Sequence, residues 1–335
     1  METNPVMARH SIHEEDVRSR PPRSTRPRTK DRPDYSKAQE GMVIAVDRGR
    51  TTCVLKDSEQ VVTTMKSREL GKKSVVVGDQ VGIVGDITGS EGSLARIVTV
   101  LPRRNALTRT IDDNPGEERM IVANVDQMAI VIAAANPQPR HGFVDRALVV
   151  AFDQGIKPII VLTKRDLADG REFLAAYDDL DIEILEIQRG GNLTKIRQAF
   201  RNKRTVLLGH SGVGKSTLVN AIVLSADRST GDVNDVTGRG RHTSSSAVAL
   251  KLDPGNEPTP DTGWVIDTPG VRSFGVAHVE IRRVMGAFSE FAEILEGCPK
   301  NCSHDEAGCA LNTWAGFDER NRSRLTSLRR LLTAK

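Results

Sequence analysis

The stretch with the most specific chemistry in this 335-residue sequence is GHSGVGKS, Gly209 to Ser216, which fits the phosphate-loop pattern G-x-x-x-x-G-K-[ST]. Its glycines let backbone N–H groups approach phosphate oxygens, while the Lys215 ammonium neutralises phosphate charge and the Ser216 hydroxyl ligates Mg²⁺. An apolar run precedes the loop and residues of helical spacing follow it, as this pattern requires. The predicted phosphate contacts are Gly209, His210, Ser211, Gly212, Val213, Gly214, Lys215, Ser216 and Thr217. The loop predicts a site for a nucleoside triphosphate and leaves ATP and GTP open.

A second motif, DTPG at Asp267 to Gly270, ends the apolar run Trp264-Val265-Ile266. A carboxylate at the end of such a strand can reach the Mg²⁺ shell, and the Gly270 N–H faces the γ-phosphate. D-x-x-G alone is a weak pattern, but here it follows a phosphate loop. We therefore predict that Asp267 and Gly270 line the same triphosphate site.

A third motif, TKRD at Thr163 to Asp166, follows an apolar strand pattern and precedes the phosphate loop. The carboxylate of Asp166 can accept two hydrogen bonds from guanine N1 and N2, whereas adenine would leave it unpaired at a cost of about 1–3 kcal/mol. The motif favours GTP, and its predicted contacts are Thr163, Lys164, Arg165 and Asp166. Many GTPases have Asn in place of Thr163, so we expect weaker support of the phosphate loop. An exposed charged turn is the alternative interpretation.

Three cysteines and a histidine lie within one short window, and they are Cys298, Cys302, His304 and Cys309. In a reducing compartment such clustering favours a metal over disulfides. Three thiolates and one imidazole suit tetrahedral Zn²⁺ with no open coordination position. The window therefore predicts one structural zinc ion, with a chance cluster as the alternative.

The length of the chain and its hydrophobic content of 38% predict two or three domains. No apolar stretch is long enough to span a bilayer and the amino terminus is polar, so we expect a cytoplasmic protein with no membrane partner. The net charge of +4 is uneven, because residues 18 to 37 hold eight basic side chains against two acidic ones. We predict that residues 1–39 are a disordered basic arm. The arm binds a phosphate backbone or, alternatively, only keeps the chain soluble.

The rest of the chain divides into segments of different pattern. The pattern of five short strands in residues 40–104 predicts an OB-type barrel that binds nucleic acid, and an SH3-like barrel with a structural role is the alternative. The predicted strands are Met42 to Val46, Thr51 to Leu55, Val61 to Met65, Gln80 to Val84 and Arg96 to Leu101. From Ile121 onwards strands alternate with helices, which predicts a parallel, doubly wound α/β domain over residues 105–276. We place the boundary between the two near Asn105 to Pro115.

Residues 277–335 are predicted to form a helical, zinc-binding domain. Near its end Leu325, Leu328 and Leu332 share one helix face. The same helix carries the basic residues Arg320, Arg322, Arg324, Arg329, Arg330 and Lys335. Such a helix packs on the fold with a solvated basic face or makes a second RNA contact, and the two interpretations are compatible.

The order of barrel, TKRD, GHSGVGKS, RHT, DTPG and cysteine cluster resembles the RsgA (YjeQ/YloQ) family, the ribosome small-subunit-dependent, circularly permuted GTPases. Further matching stretches are Val77 to Asp79, Ala123 to Gln127 and Phe143 to Arg146. The resemblance implies an N-terminal OB-type barrel, a central, circularly permuted α/β GTPase domain and a C-terminal α-helical zinc-binding domain. It also implies hydrolysis of GTP to GDP and phosphate, with Mg²⁺, in late maturation of the small ribosomal subunit through rRNA binding; we expect a monomer. Glu186 to Gly190 stands where the family has a Ser-Ala loop that contacts the base.

The group that activates water is expected outside DTPG. The chain continues with Val271, not with the Gln that positions water in many GTPases, so we expect slow hydrolysis without a partner. His242, in RHT, resembles the family's candidate catalytic histidine, and we assign it to catalysis with Lys215; contact with rRNA alone is the alternative. The expected Mg²⁺ ligands are Ser216, Thr243 and Asp267.

Two other classes of protein stay open on the sequence alone. A phosphate-loop ATPase or small-molecule kinase would prefer ATP and would not depend on ribosomes, and TKRD counts against it. A non-catalytic RNA-binding protein would use GTP only as a structural ligand, which Lys215, Ser216 and Asp267 disfavour. Turnover of GTP against ATP, with and without small subunits, separates all three.

Overall fold

The computed structural model describes residues 35–47, 49–71, 74–111, 114–223, 247–255, 263–268, 279–286 and 288–333. At residues 110–118, 286, 289 and 292 it describes the backbone alone. Most of the predicted basic arm lies outside these residues. Among the helices of the described chain, none combines the length and the apolar character needed to cross a membrane.

The first five described strands form a closed barrel. They are β1 (Gln39–Asp47), β2 (Arg50–Leu55), β3 (Val61–Lys66), β4 (Gln80–Gly85) and β5 (Ala95–Val100). They pair in the order β1-β2-β3-β5-β4, and β4 returns to β1. Apolar side chains that include Val43, Cys53 and Ile97 fill the interior. This topology confirms the predicted OB-type barrel, and each predicted strand begins and ends within about three residues of the observed one.

A two-stranded antiparallel hairpin, β6 (Ala106–Ile111) and β7 (Asn114–Ala123), follows the barrel. The prediction that the alternating α/β pattern starts at Ile121 is wrong, because residues 121–123 end β7. Their partners are β6 and, through a single bridge, Val77 of the barrel. A short apolar run does not reveal its pairing partner, since pairing depends on residues distant in the chain. The domain boundary near Asn105 to Pro115 stays a prediction.

A mostly parallel sheet forms the centre of the molecule. Its strands are β8 (Gln127–Ala133), β9 (Lys157–Thr163), β10 (Glu183–Glu186), β11 (Arg204–Leu208), β12 (Val248–Lys251) and β13 (Trp264–Asp267). They lie in the order β10-β9-β8-β11-β13-β12, and all are parallel except β12. The carboxyl ends of β9, β11 and β13 therefore share one edge of the sheet, where ligands bind in α/β folds.

Helices cover both faces of this sheet. The helices of this region are α1 (His141–Asp153), α2 (Arg171–Leu174), α3 (Thr194–Phe200) and α4 (Lys215–Ile222). Ile130 and Ile132 of β8 pack in the same hydrophobic cluster as α1, whereas Ala129 and Val131 pack in a second cluster with α3 and α4. Alternate residues of a strand point to opposite faces, so this division shows a doubly wound α/β domain, as predicted.

The C-terminal part is helical, with α5 (Ile281–Gly286), α6 (Ala292–Leu295), α7 (Ala310–Ala315) and α8 (Glu319–Thr333). Leu325 and Leu328 of α8 are buried in the cluster that also holds α1. Arg330 of α8 forms an ion pair of 3.1 Å with Asp145 of α1. The C-terminal helices and the α/β domain thus share one hydrophobic core.

The stretch Val77 to Asp79 joins the barrel to the hairpin. Gly78 has a φ of +88°, and a Cβ added to it would lie 2.0 Å from the carbonyl oxygen of Ala123. Asn124 donates a hydrogen bond of 3.0 Å to the Gly78 carbonyl. Asp79 is fully buried and pairs with Arg103 at 2.6 Å. Two stretches that carry the family resemblance therefore lie at one structural junction.

Candidate functional site

The phosphate-loop pattern lies where β11 passes into α4. Because β11 ends at Leu208 and α4 begins at Lys215, the intervening residues form the turn. A Cβ added to Gly209 would lie 2.4 Å from the carbonyl oxygen of Val131 on β8, so only glycine fits there. The unpaired N–H groups at the start of α4 face this turn, which is the arrangement that binds anions.

Two oppositely charged side chains, Lys215 and Asp267, lie beside the turn. The Lys215 Nζ donates to the carbonyl oxygens of Gly209 and His210, at 3.0 Å to His210. Burial lowers the pKa of Lys215, and the charge of Asp267 opposes this shift. Burial raises the pKa of Asp267, and the charge of Lys215 opposes it. Each group stabilises the charged form of the other, and Mg²⁺ with a triphosphate would suit both charges.

Thr163, the last residue of β9, contacts the phosphate loop directly. Its Oγ1 lies 2.5 Å from the carbonyl oxygen of Val213 in the loop and 3.1 Å from that of Ile132 on β8. One hydroxyl proton can serve either acceptor. On the sequence alone, threonine is expected to support the loop less well than asparagine, but the sequence does not reveal this short contact. The contact joins the TKRD motif to GHSGVGKS.

Replacing Thr163 by valine should weaken GTP binding about tenfold. Valine has nearly the same shape, but it removes the hydroxyl that donates to the buried carbonyl oxygen of Val213 or of Ile132, at a cost of about 1–3 kcal/mol. Titration with a fluorescent GTP analogue measures the effect. Thr163→Ser keeps the hydroxyl and should bind within about threefold of the natural chain. Equal affinity of Thr163→Val and the natural chain would show that the contact does not hold the loop.

The remaining TKRD side chains have distinct surroundings. Lys164 has a left-handed backbone with φ +57°, and its Nζ donates to the carbonyl oxygen of Asn136. Arg165 points away into ion pairs, at 2.6 Å to Asp169 and 2.5 Å to Glu186. Asp166 is exposed at the edge of the sheet. Its carboxylate is thus available to a ligand, whereas the guanidinium of Arg165 is engaged within the fold.

The loop after β10 borders Asp166. The Ile187 N–H donates to the Leu162 carbonyl at 2.8 Å, and the Arg165 N–H donates to the Ile187 carbonyl at 3.3 Å. The Arg189 N–H then lies 3.4 Å from Asp166 Oδ1. No sequence pattern predicts this last contact, because it depends on how two parallel strands align. The stretch Glu186 to Gly190 lies where the resemblance places the base-contact loop.

The three motifs meet at one edge of the sheet although they are far apart in the chain. Thr163 of β9 aligns with Ala133 of β8, and Leu207 of β11 aligns with Asp267 of β13. The Thr163 contact connects β9 to the phosphate loop, and the charges of Lys215 and Asp267 connect the loop to β13. Three predicted residues, Gly270, His242 and Thr243, lie outside the described residues.

One face of α1 also meets the phosphate loop, which the sequence analysis did not predict. The Phe143 ring lies 4.4 Å from the His210 imidazole, measured between centroids. Arg140 and Arg146 flank Phe143 at helical spacing. Burial lowers the pKa of His210, and the charges of Arg140, Lys215 and Arg146 lower it further. The i, i+3 spacing around Phe143 is the signal that could have revealed these residues.

The cysteine and histidine side chains converge near α8. The ligand atoms of Cys298, Cys302, His304 and Cys309 all lie within 4.8 Å of one another. Cys298 Sγ is 3.9 Å from Cys309 Sγ, and both are 3.8–3.9 Å from His304 Nδ1. Ligands of a tetrahedral ion bound at about 2.3 Å stand roughly 3.8 Å apart, whereas a disulfide needs about 2.05 Å. The cluster can therefore hold a metal ion.

An arginine of α8 holds this cluster to the rest of the domain. Arg329 donates through Nε to the His304 carbonyl at 2.9 Å and through Nη2 to Asn312 Oδ1 at 2.7 Å. Asn312 in turn donates to the carbonyl oxygens of Glu306 and Ala307. The loop that carries the ligands is thus tied to α7 and α8 by side-chain hydrogen bonds.

Comparison with known proteins agrees with this geometry. Residues 100–277 match the model of the RsgA GTPase family. The chain belongs to this family. The Small ribosomal subunit biogenesis GTPase RsgA of Pseudomonas aeruginosa is 37% identical over 248 residues, which cover 71% of this chain and 69% of that protein. RsgA 1 of Vibrio vulnificus is 32% identical, over 77% of this chain and 73% of its own length.

Solved structures support the same assignment. YjeQ from Thermotoga maritima superposes with a TM-score of 0.63 at 25% identity, covering 88% of this chain and 98% of its own. YloQ, described as a circularly permuted GTPase, superposes with a TM-score of 0.60 at 23% identity, covering 90% of this chain and 97% of its own, and it supports the fold alone. As an RsgA GTPase with permuted motif order, the protein is a GTP-hydrolysing enzyme, which disfavours both alternative classes.

Proposed function

We propose that this RsgA-family protein hydrolyses GTP to GDP and phosphate under stimulation by the small ribosomal subunit. It acts in late maturation of that subunit through rRNA binding, in the cytoplasm and as a monomer. The observation that carries the proposal is the meeting of TKRD, the phosphate loop and Asp267 at one sheet edge. The relatives are named small ribosomal subunit biogenesis GTPases, which supplies the partner.

Three groups of residues would hold the nucleotide. Gly209 to Thr217 would bind the phosphates through backbone N–H groups and the Lys215 ammonium, with the Gly270 N–H on the γ-phosphate. Ser216, Thr243 and Asp267 would ligate Mg²⁺, which neutralises charge on the β- and γ-phosphate oxygens. Burial lowers the pKa of Lys215 and raises that of Asp267, so each side chain is more stable in its charged form beside an opposite charge. A phosphate suits the ammonium in this way, and Mg²⁺ suits the carboxylate.

The base would be read by Asp166. Its carboxylate is exposed, and the Arg189 N–H donates to its Oδ1 at 3.4 Å. Guanine offers N1–H and N2–H donors to this carboxylate, and the loop from Ile187 to Gly190 would close one side of the base. Thr163 and Lys164 would connect this half of the site to the phosphate half.

His242 would orient or deprotonate the attacking water when the small subunit is bound. His242→Ala should reduce subunit-stimulated turnover on the order of 10²–10⁴-fold and leave GTP affinity unchanged. Single-turnover hydrolysis with saturating subunits measures the first quantity, and nucleotide titration measures the second. His242→Gln, which can position water but is a poor base, should retain part of the stimulation. Full stimulation of His242→Ala would contradict the catalytic role and leave contact with rRNA.

Cys298, Cys302, His304 and Cys309 would hold one structural Zn²⁺. The donor set and the separations of 3.8–3.9 Å between three of its atoms support zinc. We propose residues 277–335 as the zinc-binding domain, 105–276 as the GTPase domain, 40–104 as the barrel and 1–39 as a basic arm. The barrel and the zinc-binding domain would contact rRNA together.

The function is tested by measuring turnover of GTP and of ATP, with and without purified small subunits. We expect slow GTP turnover alone, a large increase with subunits and no comparable ATP turnover. Equal use of both nucleotides would exclude guanine recognition by Asp166. GTP turnover that subunits do not change would exclude the proposed ribosomal role.

A further inference from the structure

The turn between α7 and α8 presents an isolated aromatic ring. Phe317 is 96% exposed, the highest value among the large hydrophobic side chains of the described chain. The turn is tied at both ends: Arg322 Nε donates to the Gly316 carbonyl at 2.8 Å, and the Asn321 N–H donates to Asp318 Oδ1 at 2.9 Å. The ring is thus held on a defined turn and contributes almost nothing to the core.

Free positive charge lies beside this ring. The Arg322 guanidinium carbon is 5.5 Å from the Phe317 centroid, a distance at which the cation attracts the ring face. The near-complete exposure of the ring leaves its other face open to solvent. Arg320, in the first turn of α8, is also exposed. Within the described part of the chain, neither Arg320 nor Arg322 has an acidic partner.

Other arginines of α8 differ, since they pair within the fold. Their partners are Glu290 for Arg324, Asp305 for Arg329 and Asp145 for Arg330. The two unpaired arginines lie near the start of the helix, where the helix dipole disfavours positive charge. Arg322 contributes to the fold through its Nε hydrogen bond to Gly316, but neither positive charge is favoured at this end of the helix or matched by a described acidic side chain, which points to a negatively charged partner.

We propose that Phe317 stacks on an unpaired base of RNA while Arg322 and Arg320 contact the adjacent phosphates. An open aromatic face beside cations is the arrangement that binds single-stranded nucleotides, because every base has a π-face and every nucleotide a phosphate. The inference rests on the proposed function, since it names one contact through which the protein holds rRNA. An apolar protein surface would use the bulk of Phe317 but would not require its flat ring.

The test compares four full-length chains in binding to purified small ribosomal subunits with a non-hydrolysable GTP analogue. These are the natural chain, Phe317→Ala, Phe317→Leu and Phe317→Tyr. We expect alanine and leucine to weaken binding on the order of tenfold each and tyrosine to stay within about twofold. Arg322→Ala should weaken binding and make the salt dependence of binding shallower, because one phosphate contact is lost. Basal GTP turnover should be the same in all chains, which shows that each is folded.

Several outcomes would overturn the proposal. Undiminished binding by Phe317→Ala would show that the ring contacts nothing on the subunit. Binding by Phe317→Leu equal to that of the natural chain would identify an apolar protein contact in place of base stacking. If the natural chain itself neither binds subunits nor responds to them in turnover, the proposed function fails and this inference fails with it. If subunits stimulate GTP turnover of the natural chain but Phe317→Ala binds subunits as tightly as the natural chain does, the contact of Phe317 is contradicted and the proposed function is not.

Discussion

Replacing Asp166 by asparagine should change the preferred nucleotide from GTP to XTP. In the proposed site the carboxylate would accept from both N1–H and N2–H of guanine, whereas the asparagine amide offers one acceptor and would place its own N–H against the guanine amino group. Xanthine carries a carbonyl oxygen in place of that amino group, so it accepts from the amide. Sites that hydrogen-bond a substrate group reject mismatched analogues strongly, and we expect GTP affinity to fall on the order of 100-fold or more. Competition titration with GTP and XTP measures the exchange.

A nearby acidic residue provides the control for this substitution. Asp169 follows Asp166 by three positions, and it pairs with Arg165 at 2.6 Å on the surface of the fold. Asp169→Asn removes the same charge without touching the proposed base site, so GTP affinity should change by less than about twofold. If Asp166→Asn kept its preference for GTP, the proposed reading of guanine by this carboxylate would be wrong.

Removing the proposed zinc ion should unfold the C-terminal helices. Structural zinc sites contribute on the order of 10 kcal/mol to folding, and the loop that carries the four ligands is tied to α7 and α8 by the hydrogen bonds of Arg329 and Asn312, so loss of the ion should loosen these helices. We expect Cys298→Ser to lose the bound metal and part of its helical circular dichroism, and to melt at a clearly lower temperature. Because α8 and α1 share a hydrophobic core, the α/β domain should melt earlier as well.

Nucleotide binding should largely survive this loss of zinc. The described contacts of the proposed nucleotide site come from the sheet edge, the loop after β10 and α1, not from the C-terminal helices. Cys53→Ala is the matched control, since Cys53 is buried in the barrel, away from the cluster, and its loss should leave the metal content at one ion per chain. Unchanged melting of Cys298→Ser would contradict the structural role of the metal. Loss of all GTP binding in this variant would show that α1 needs the C-terminal helices to keep its position beside the phosphate loop.

The elements that sequence patterns predicted well are those with short-range signals. The barrel strands are short apolar runs separated by turn residues, and their limits follow from the sequence to within about three residues. The strand, loop and helix around Lys215 appear where the motif requires them. The four proposed metal ligands converge although the sequence indicated only their closeness along the chain.

Other features depended on residues that are distant in sequence. Residues 121–123 look like any buried strand, and only pairing with β6 and Val77 separates them from the central sheet. Of the basic residues in the terminal helix, Arg324 and Arg330 are partly taken up by ion pairs to Glu290 and Asp145, which no local pattern reveals.

The sequence by itself determined the chemistry of this protein: a phosphate loop, a carboxylate suited to guanine and a thiolate cluster suited to a metal, in an order typical of permuted GTPases. Residue type and spacing suffice for this, because each motif works through groups a few positions apart. Tertiary structure alone decided how the motifs join, through the Thr163 hydroxyl on the loop, the Arg189 N–H beside Asp166 and the face of α1 against His210. Those contacts depend on strand alignment and helix packing, which arise only when distant segments bury their apolar faces together.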